Sequence, residues 1–380
     1  MSNIRRQSII SSLVIYFGFA VGLLNTYFFT KEGIFTEAEY GLTTIFIAIS
    51  SLMAVFASLA MPTYIYKFYP FYNDNLPPRK NDMLTWALLV STIGFILVVI
   101  AGLIFKSLVI RKFGENSPQL LVYYNWLFPM GLGITIYTIL EAYAIMLKKS
   151  VLTTYLREVQ WRLFTTVLIV LMITHTIKNF DLFIKLYTFG YLFIAISLFV
   201  YLAIKKQLIL TFTISRVTRK FIKKILTLCY FFYGATIIFI ISKVFDTIII
   251  ASKLPNGAAK AGVFAIATLM TSIIQAPQRS IIAASIPHLS KAWKDKNIKL
   301  LQRIYQRSSL NQLIFACAIF LLIWLNFTDA VITFNLKATY LDAKWVFFVL
   351  GITMIIDMGT GVNAQIIATS NYWRFELTSG

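Results

Sequence analysis

The chain has few of the residues on which soluble enzymes and metal proteins depend. Its 380 residues include 15 acidic side chains, 2 His and 2 Cys. Cys229 and Cys317 fall in or beside apolar stretches, so they provide neither a disulfide framework nor the paired spacing of a metal site. The sequence has no Gly-rich phosphate loop, no His-Glu-x-x-His motif and no Ser-centred nucleophile elbow. We therefore predict that the protein is not an enzyme and holds no metal or organic cofactor.

The chain also lacks a hydrophilic segment long enough to form a soluble domain. Hydrophobic residues make up 58% of the sequence, and the mean hydropathy is +0.76. A bilayer core about 30 Å thick needs roughly 20 apolar residues per helix, and about ten stretches approach or exceed that length. We predict an all-α polytopic membrane protein with spans near residues 8–30, 41–65, 84–105, 119–147, 159–177, 182–204, 225–252, 261–286, 309–328 and 341–368.

Basic residues far outnumber acidic ones and concentrate in alternate links between the spans. The 35 Lys and Arg give a net charge of +20, which in a soluble protein would suggest nucleic acid as partner. Here the basic links, including Arg157 and Arg162 on the way into span five, follow the positive-inside rule. We therefore predict a cytoplasmic amino terminus, and membrane lipids rather than nucleic acid as partners. Residues 287–308 suit an amphipathic surface helix or an ordinary charged connector about equally well.

Two pairs of short segments indicate an internal duplication. The tetrapeptide Leu-Gly-Ile-Thr occurs at residues 132–135 and again at 350–353, and Glu39-Tyr40-Gly41 before span two corresponds to Lys260-Ala261-Gly262 before span eight. A repeat of about 220 residues holds six spans, and an even number of spans gives both copies the same orientation in the membrane. We predict a first lobe over residues 1–210, a basic cytoplasmic inter-lobe loop over 211–224, and a second lobe over 225–380. The second lobe is expected to be incomplete, with four spans of six.

Ionisable residues inside spans are costly, by about 2.5–3.5 kcal/mol at the membrane centre, so each is a candidate for function. Lys243 and Asp246 are spaced to share one face of span seven, and Arg279 follows Gln275 and Pro277 in span eight. We predict that Lys243, Arg279 and Gln275, with Asn25 at the end of span one, line a polar cleft that binds an anionic head group. The alternatives are an ion pair between Lys243 and Asp246 that only specifies packing, and an Arg279 side chain that extends to the cytoplasmic interface.

Acidic and polar residues in the spans are candidates for coupling to H+ or Na+. Glu141 in span four and Asp357 in span ten occupy corresponding spans of the predicted repeat, and Asp357 precedes Asn363 in a polar stripe. We predict that Asp246, Glu141, Asp357 and Asn363 take part in ion coupling. The alternative for the acids is neutralisation by a neighbouring cation. Gly18 and Gly22 form a small-residue face in span one that favours close helix packing over a direct role.

The basic amino terminus, the Glu39-Tyr40-Gly41 segment and Met61-Pro62 at the end of span two resemble Wzx-type polysaccharide flippases. These form a branch of the multidrug, oligosaccharidyl-lipid and polysaccharide exporter superfamily. The resemblance implies two six-helix bundles around a central cavity in the bacterial inner membrane. It also implies transport of a lipid-linked oligosaccharide by alternating access, cavity cations such as Lys243 and Arg279 that contact the lipid pyrophosphate, and work alongside a polysaccharide polymerase and other glycan-assembly proteins.

Two other functions stay open on the sequence alone. A cation-coupled multidrug exporter of the same superfamily would depend more on Asp246, Glu141 and Asp357 than on the cations. A membrane polymerase or glycosyltransferase of surface glycans would be favoured by a large external loop, and the sequence contains none between the predicted spans.

Overall fold

The structure is a computed structural model that describes residues 2–368 and 370. The side chains of residues 2–9, 12, 276, 277, 279, 280, 283, 284, 286, 287, 290, 291, 294, 364 and 368 lie outside that description. The described residues form helices joined by short links, without a β-strand. This confirms the predicted all-α class.

The chain divides into two compact units, Met1–Gly262 and Val263–Gly380. The helices of the first unit are α1 (Ser2–Thr30), α2 (Glu37–Ser58), α3 (Met61–Asn75), α4 (Met83–Ile104), α5 (Lys106–Phe113), α6 (Pro118–Val122), α7 (Leu127–Met146), α8 (Ser150–Tyr155), α9 (Trp161–Ile173), α10 (Phe180–Thr188), α11 (Gly190–Ile204) and α12 (Arg216–Lys253). Helix α13 (Gly257–Lys294) begins in the first unit, and the second unit continues with α14 (Ile298–Thr333), α15 (Ala343–Gly359) and α16 (Asn363–Ala368).

Eight helical segments of the described chain are long and apolar enough to cross a membrane. They correspond to predicted spans one to four and six to nine, and the protein is a multi-pass membrane protein. Predicted span five, residues 159–177, covers the end of a π-helical turn at Leu156–Gln160 and the whole of α9, which has 13 residues. Span ten corresponds to α15, which has 17 residues. Large apolar side chains such as Ile96, Leu97 and Ile104 of α4 are exposed, as expected for helices that face lipid.

The second predicted span is two helices and not one. A capping box starts α2, in which the Glu39 N–H donates to the Thr36 hydroxyl at 3.2 Å and the Thr36 N–H donates to the Glu39 carboxylate at 2.7 Å. Leu59 and Ala60 then take the left-handed conformation, with φ of 47° and 58°. These two residues end α2, and Pro62 is tolerated in the first turn of α3 because an N–H is not needed there.

The predicted boundaries around the two basic links are wrong in part. Helix α12 begins at Arg216, so most of the predicted inter-lobe loop over residues 211–224 is helical, with the Ser215 hydroxyl as its N-cap. The link over residues 287–308 is also not a separate surface helix. It supplies the end of α13 and the beginning of α14, joined by a turn in which the Asn297 side chain caps α14. The lobe limits themselves stay a prediction.

Glycines allow helix backbones to approach where the sequence repeats. A Cβ at Gly41 would collide with the carbonyl oxygen of Ala258 in α13, and one at Gly262 would lie 3.1 Å from the Gly41 nitrogen. Gly41 and Gly262 are the matched positions of the predicted duplication. The duplication itself stays a prediction.

We predict that Gly41→Ala destabilises the protein, because the new methyl group forces α2 away from the backbone of α13. Overpacking of this kind typically costs about 1–3 kcal/mol. The measurement is the thermal midpoint of the detergent-solubilised protein by fluorescence-detected size exclusion. Gly234→Ala is the matched control, since a Cβ there meets nothing within 4 Å. Equal thermal midpoints for the two variants would show that α2 and α13 do not approach as described.

Candidate functional site

Four charged side chains form a cluster inside the first unit. Glu141 of α7 is buried, and its carboxylate lies 3.0 Å from a terminal guanidinium nitrogen of Arg157. Arg157 also lies 3.5 Å from the carboxylate of Glu158, and Arg162 lies 3.2 Å from the same carboxylate. Two carboxylates and two guanidinium groups give the cluster a formal charge of zero. For Glu141 this geometry favours the alternative that a neighbouring cation neutralises it.

Local backbone geometry brings this cluster together. The π-helical turn at Leu156–Gln160 carries Arg157 and Glu158 between α8 and α9. Such turns insert an extra residue into a helix and occur frequently at functional sites. A Cβ at Gly18 of α1 would fall on the carbonyl oxygen of Glu158, and one at Gly22 would lie 3.0 Å from the Arg162 side chain. The small face of α1 is therefore a packing surface that gives the cluster its room.

Asn25 joins α1 to α9. Its side chain is 5% exposed, its amide nitrogen donates to the Arg162 carbonyl at 2.8 Å, and its amide oxygen accepts from the Thr166 hydroxyl at 2.7 Å. Both ends of the amide thus have protein partners. A contact between Asn25 and a substrate stays a prediction.

Lys243 and Asp246 lie exposed on α12. The Lys243 ammonium group is 5.3 Å from the centroid of the Phe239 ring, and neither Lys243 nor Asp246 forms an ion pair or hydrogen bond with any described residue. The packing alternative, in which these two side chains neutralise each other directly, is therefore not what the structure contains. Lys243 is left as a cation on a largely apolar helix.

In the second unit a carboxylate is bound by a neutral group. The Asp357 carboxylate of α15 accepts a hydrogen bond of 2.9 Å from the Gln278 amide of α13, and Gln278 is 9% exposed. No described basic side chain lies within ion-pair distance of Asp357. Gln275 is half-buried one turn earlier in α13, and Asn363 is exposed at the start of α16. Arg279 was predicted to bind substrate, but its side chain lies outside the described residues.

A third polar cluster, at the start of α12, was missed by the sequence reasoning. Asp82 is fully buried, and its Oδ2 accepts from the Ser215 N–H and the Thr218 hydroxyl, each at 2.8 Å. A carboxylate beside the first turn of a helix is favourable because the N–H groups there are unpaired. The Thr218 hydroxyl also forms a hydrogen bond of 2.7 Å with the Tyr72 hydroxyl. Burial raises the pKa of Tyr72. This cluster fixes the start of α12 within the first unit.

Simple sequence signals could have found only part of these sites. Asp82 and Ser215 are 133 residues apart, and Glu141 and Arg157 are 16 apart. Their pairing depends on which helices become neighbours. The N-cap pattern of Ser215 before a basic helix was readable, whereas the π-helical turn at residues 156–160 has no comparable signature.

Comparisons with known proteins identify the architecture. Neither a protein-family model nor a curated protein sequence matches the chain. A solved structure described as an inward-facing multidrug resistance MATE family transporter of the MOP superfamily aligns with 97% of this chain and 86% of its own, with a TM-score of 0.75 and 14% identity. The chain has the fold of a MATE transporter.

Two further solved structures support the same fold. The lipid II flippase MurJ, in an inward closed conformation, aligns with 95% of this chain and 78% of its own, with a TM-score of 0.63 and 18% identity. A crystal structure of a MATE mutant aligns with 98% of this chain and 84% of its own, with a TM-score of 0.59 and 16% identity. The likeness to MATE and MurJ structures confirms the predicted fold, and the assignments to the superfamily and to its Wzx-type branch stay predictions.

We predict that the first-unit cluster stabilises the fold as a charge-neutral unit. Arg157→Gln leaves the buried Glu141 carboxylate unpaired, which typically costs about 1–3 kcal/mol. The double variant Glu141→Gln, Arg157→Gln removes both charges and should recover most of the thermal midpoint lost in Arg157→Gln. The double-mutant cycle is measured by thermal unfolding in detergent. Additive losses in the two single variants would contradict the proposed coupling.

Proposed function

We propose that the protein is a transporter that moves a lipid-linked oligosaccharide, carried on a polyprenyl pyrophosphate, from the cytoplasmic to the outer face of the bacterial inner membrane. The fold likeness to MurJ, which is described as a lipid II flippase, supports a lipid-linked cargo. The amino terminus is proposed to be cytoplasmic, in line with the positions of the basic links. Alternating access of two helical lobes is the proposed mechanism, with no enzymatic step.

The observation that carries this proposal is an exposed Lys243 without an acidic partner among the described residues. An ammonium group in the hydrocarbon region is costly unless it meets an anion or water. Lys243 is exposed on the apolar α12 and has no acidic partner among the described residues, although Asp246 is three positions away on the same helix. A pyrophosphate on a lipid cargo supplies the missing anion. Arg279, Gln275 and Asn25 stay predictions from the sequence pattern, and the Asn25 amide is bound to protein at both ends.

A second candidate function is a cation-coupled multidrug exporter. The neighbour described as a multidrug resistance MATE family transporter favours it, with the TM-score of 0.75. The side chain of Asp246 also favours it, because an exposed carboxylate without a cationic partner suits a positively charged drug. The two candidates differ in which charge of α12 meets the cargo, so they can be separated by substitution.

Asp357 is the acid that we propose for ion coupling. A coupling carboxylate must be free to gain a proton or Na+, and an arginine beside it opposes that step because it already neutralises the charge. Glu141 has Arg157 at 3.0 Å. Asp357 has the neutral Gln278 amide at 2.9 Å and no described cation, so a bound H+ or Na+ would neutralise it. Roles for Asp246 and Asn363 in ion coupling stay predictions from the sequence.

We predict that Lys243→Ala lowers the rate of lipid translocation by more than about tenfold, since losing one partner of a desolvated charge pair costs several kcal/mol. The assay uses the purified protein in proteoliposomes and a fluorescent polyprenyl-pyrophosphate oligosaccharide whose outer-leaflet fraction is quenched. Lys243→Arg keeps the charge and should retain most of the rate. Lys253→Ala, at the end of the same helix, is the matched control.

An unchanged rate in Lys243→Ala would overturn the assigned site. Two results together would favour the multidrug exporter. The wild-type protein would not translocate the lipid, and a deletion strain would become more susceptible to drugs. The wild-type gene would restore resistance in that strain, and the Asp246→Asn variant would not. Surface polysaccharide in the same strain provides the cellular readout of the first candidate.

We predict that Asp357→Asn abolishes the acceleration of transport by an imposed proton or sodium gradient. The amide does not gain and release a proton, and it has no negative charge to balance Na+. Transport without a gradient should persist. The measurement compares rates in proteoliposomes with and without each gradient. Asp181→Asn, on the exposed Asp181–Lys185 pair, is the control. Gradient dependence that survives in Asp357→Asn but is lost in Glu141→Gln would place coupling in the first unit instead.

A further inference from the structure

A groove of about 620 Å³ lies between α3 and the beginning of α12, within the first unit. None of its lining residues is among those proposed for transport. Both of its walls come from segments that the sequence assigns to the cytoplasmic side, at the ends of predicted spans. The lining side chains are Lys67, Phe68, Phe71, Phe221, Lys223, Lys224, Thr227, Leu228, Phe231 and Phe232.

Aromatic rings form the apolar part of this groove. The Phe221 ring of α12 lies 5.8 Å from Phe68 and 5.1 Å from Phe71 of α3, measured between ring centroids. Phe68 is buried, whereas Phe231 and Phe232 are exposed further along α12. The surface is thus anchored by packed rings and extends toward the predicted membrane interior. Such a surface suits an acyl chain.

Three lysines form the polar part of the same groove. Lys67, Lys223 and Lys224 are exposed, and none of the described residues that line the groove is acidic. None of the three forms an ion pair with a described residue. The Lys224 ammonium group lies 5.8 Å from the centroid of Phe221, so cationic and apolar surfaces meet directly. The groove is therefore complementary to a molecule that carries an anionic group next to a hydrocarbon chain.

We propose that this groove binds an anionic phospholipid of the cytoplasmic leaflet, with its phosphate against the three lysines and an acyl chain along the phenylalanines. Lysines near the membrane surface attract anionic lipids, and each contributes on the order of 1 kcal/mol. Free phosphate would use the lysines but not the apolar wall. This inference does not depend on the transported cargo, because neither Lys243 nor Asp357 is among the residues that line the groove.

Lipid binding to the purified protein tests the proposal. Native mass spectrometry in detergent compares phosphatidylglycerol with phosphatidylcholine of the same acyl chains. The wild-type protein should bind phosphatidylglycerol more than about fivefold more tightly, and added salt should weaken that preference. The triple variant K67Q/K223Q/K224Q should lose the preference. The triple variant K148Q/K205Q/K206Q removes the same charge from the same predicted side and should keep it.

A second variant tests the apolar wall without disturbing the fold. Phe231 is 68% exposed, so Phe231→Ala leaves the packed rings intact. It should weaken binding of phosphatidylglycerol severalfold, and inorganic phosphate at equal concentration should not displace the lipid.

Equal binding of the two lipids by the wild-type protein, equal loss in both triple variants, or displacement of the lipid by inorganic phosphate would each overturn the proposal. Binding of a polyprenyl pyrophosphate but not of phosphatidylglycerol would likewise overturn it and assign the groove to the cargo. Translocation rates for the K67Q/K223Q/K224Q variant report separately on the proposed transport function.

Discussion

The structure depends on the absence of water from the hydrocarbon core of a bilayer. Without water, each backbone N–H and carbonyl must find a partner within the protein, and helices are the way in which a single segment meets that demand. The same constraint applies to charge. Glu141, Arg157, Glu158 and Arg162 satisfy it by neutralising one another. The neutral amide of Asn25 and the Oδ2 atom of Asp82 have hydrogen-bond partners elsewhere in the first unit.

Against that background, the charges that lack a partner are the informative ones. Lys243 and Asp246 on α12 have no described ionic partner, and Asp357 on α15 has only an amide. They are accordingly the residues at which a cargo or a coupling ion is proposed to act. The lysines of the α3–α12 groove follow the same reasoning at the membrane surface, where a lipid phosphate supplies the opposite charge.

Close helix approach is the second consequence of the membrane environment. Since lipid offers no hydrophobic force between helices, small residues that let backbones come near one another take on that role. Gly18 lets the π-helical turn pack against α1, Gly22 leaves room for the Arg162 side chain of α9, and Gly41 lets the first turns of α13 approach α2. The contact between Gly41 and Gly262 also joins two positions that the sequence had paired by their offset alone.

Composition and periodic apolar runs by themselves determined the all-α membrane class, the approximate span positions and the candidate intramembrane charges. These are local properties, because about 20 consecutive residues decide whether a segment can cross a bilayer. The tertiary structure alone decided that α2 ends at Leu59, that α12 begins at Arg216, and that Glu141 meets Arg157 while Lys243 lacks an ionic partner among the described residues. Such features depend on which helices become neighbours. Adjacency between distant segments leaves no periodic trace in one sequence, so only the fold could divide the charged residues into neutralised and free ones.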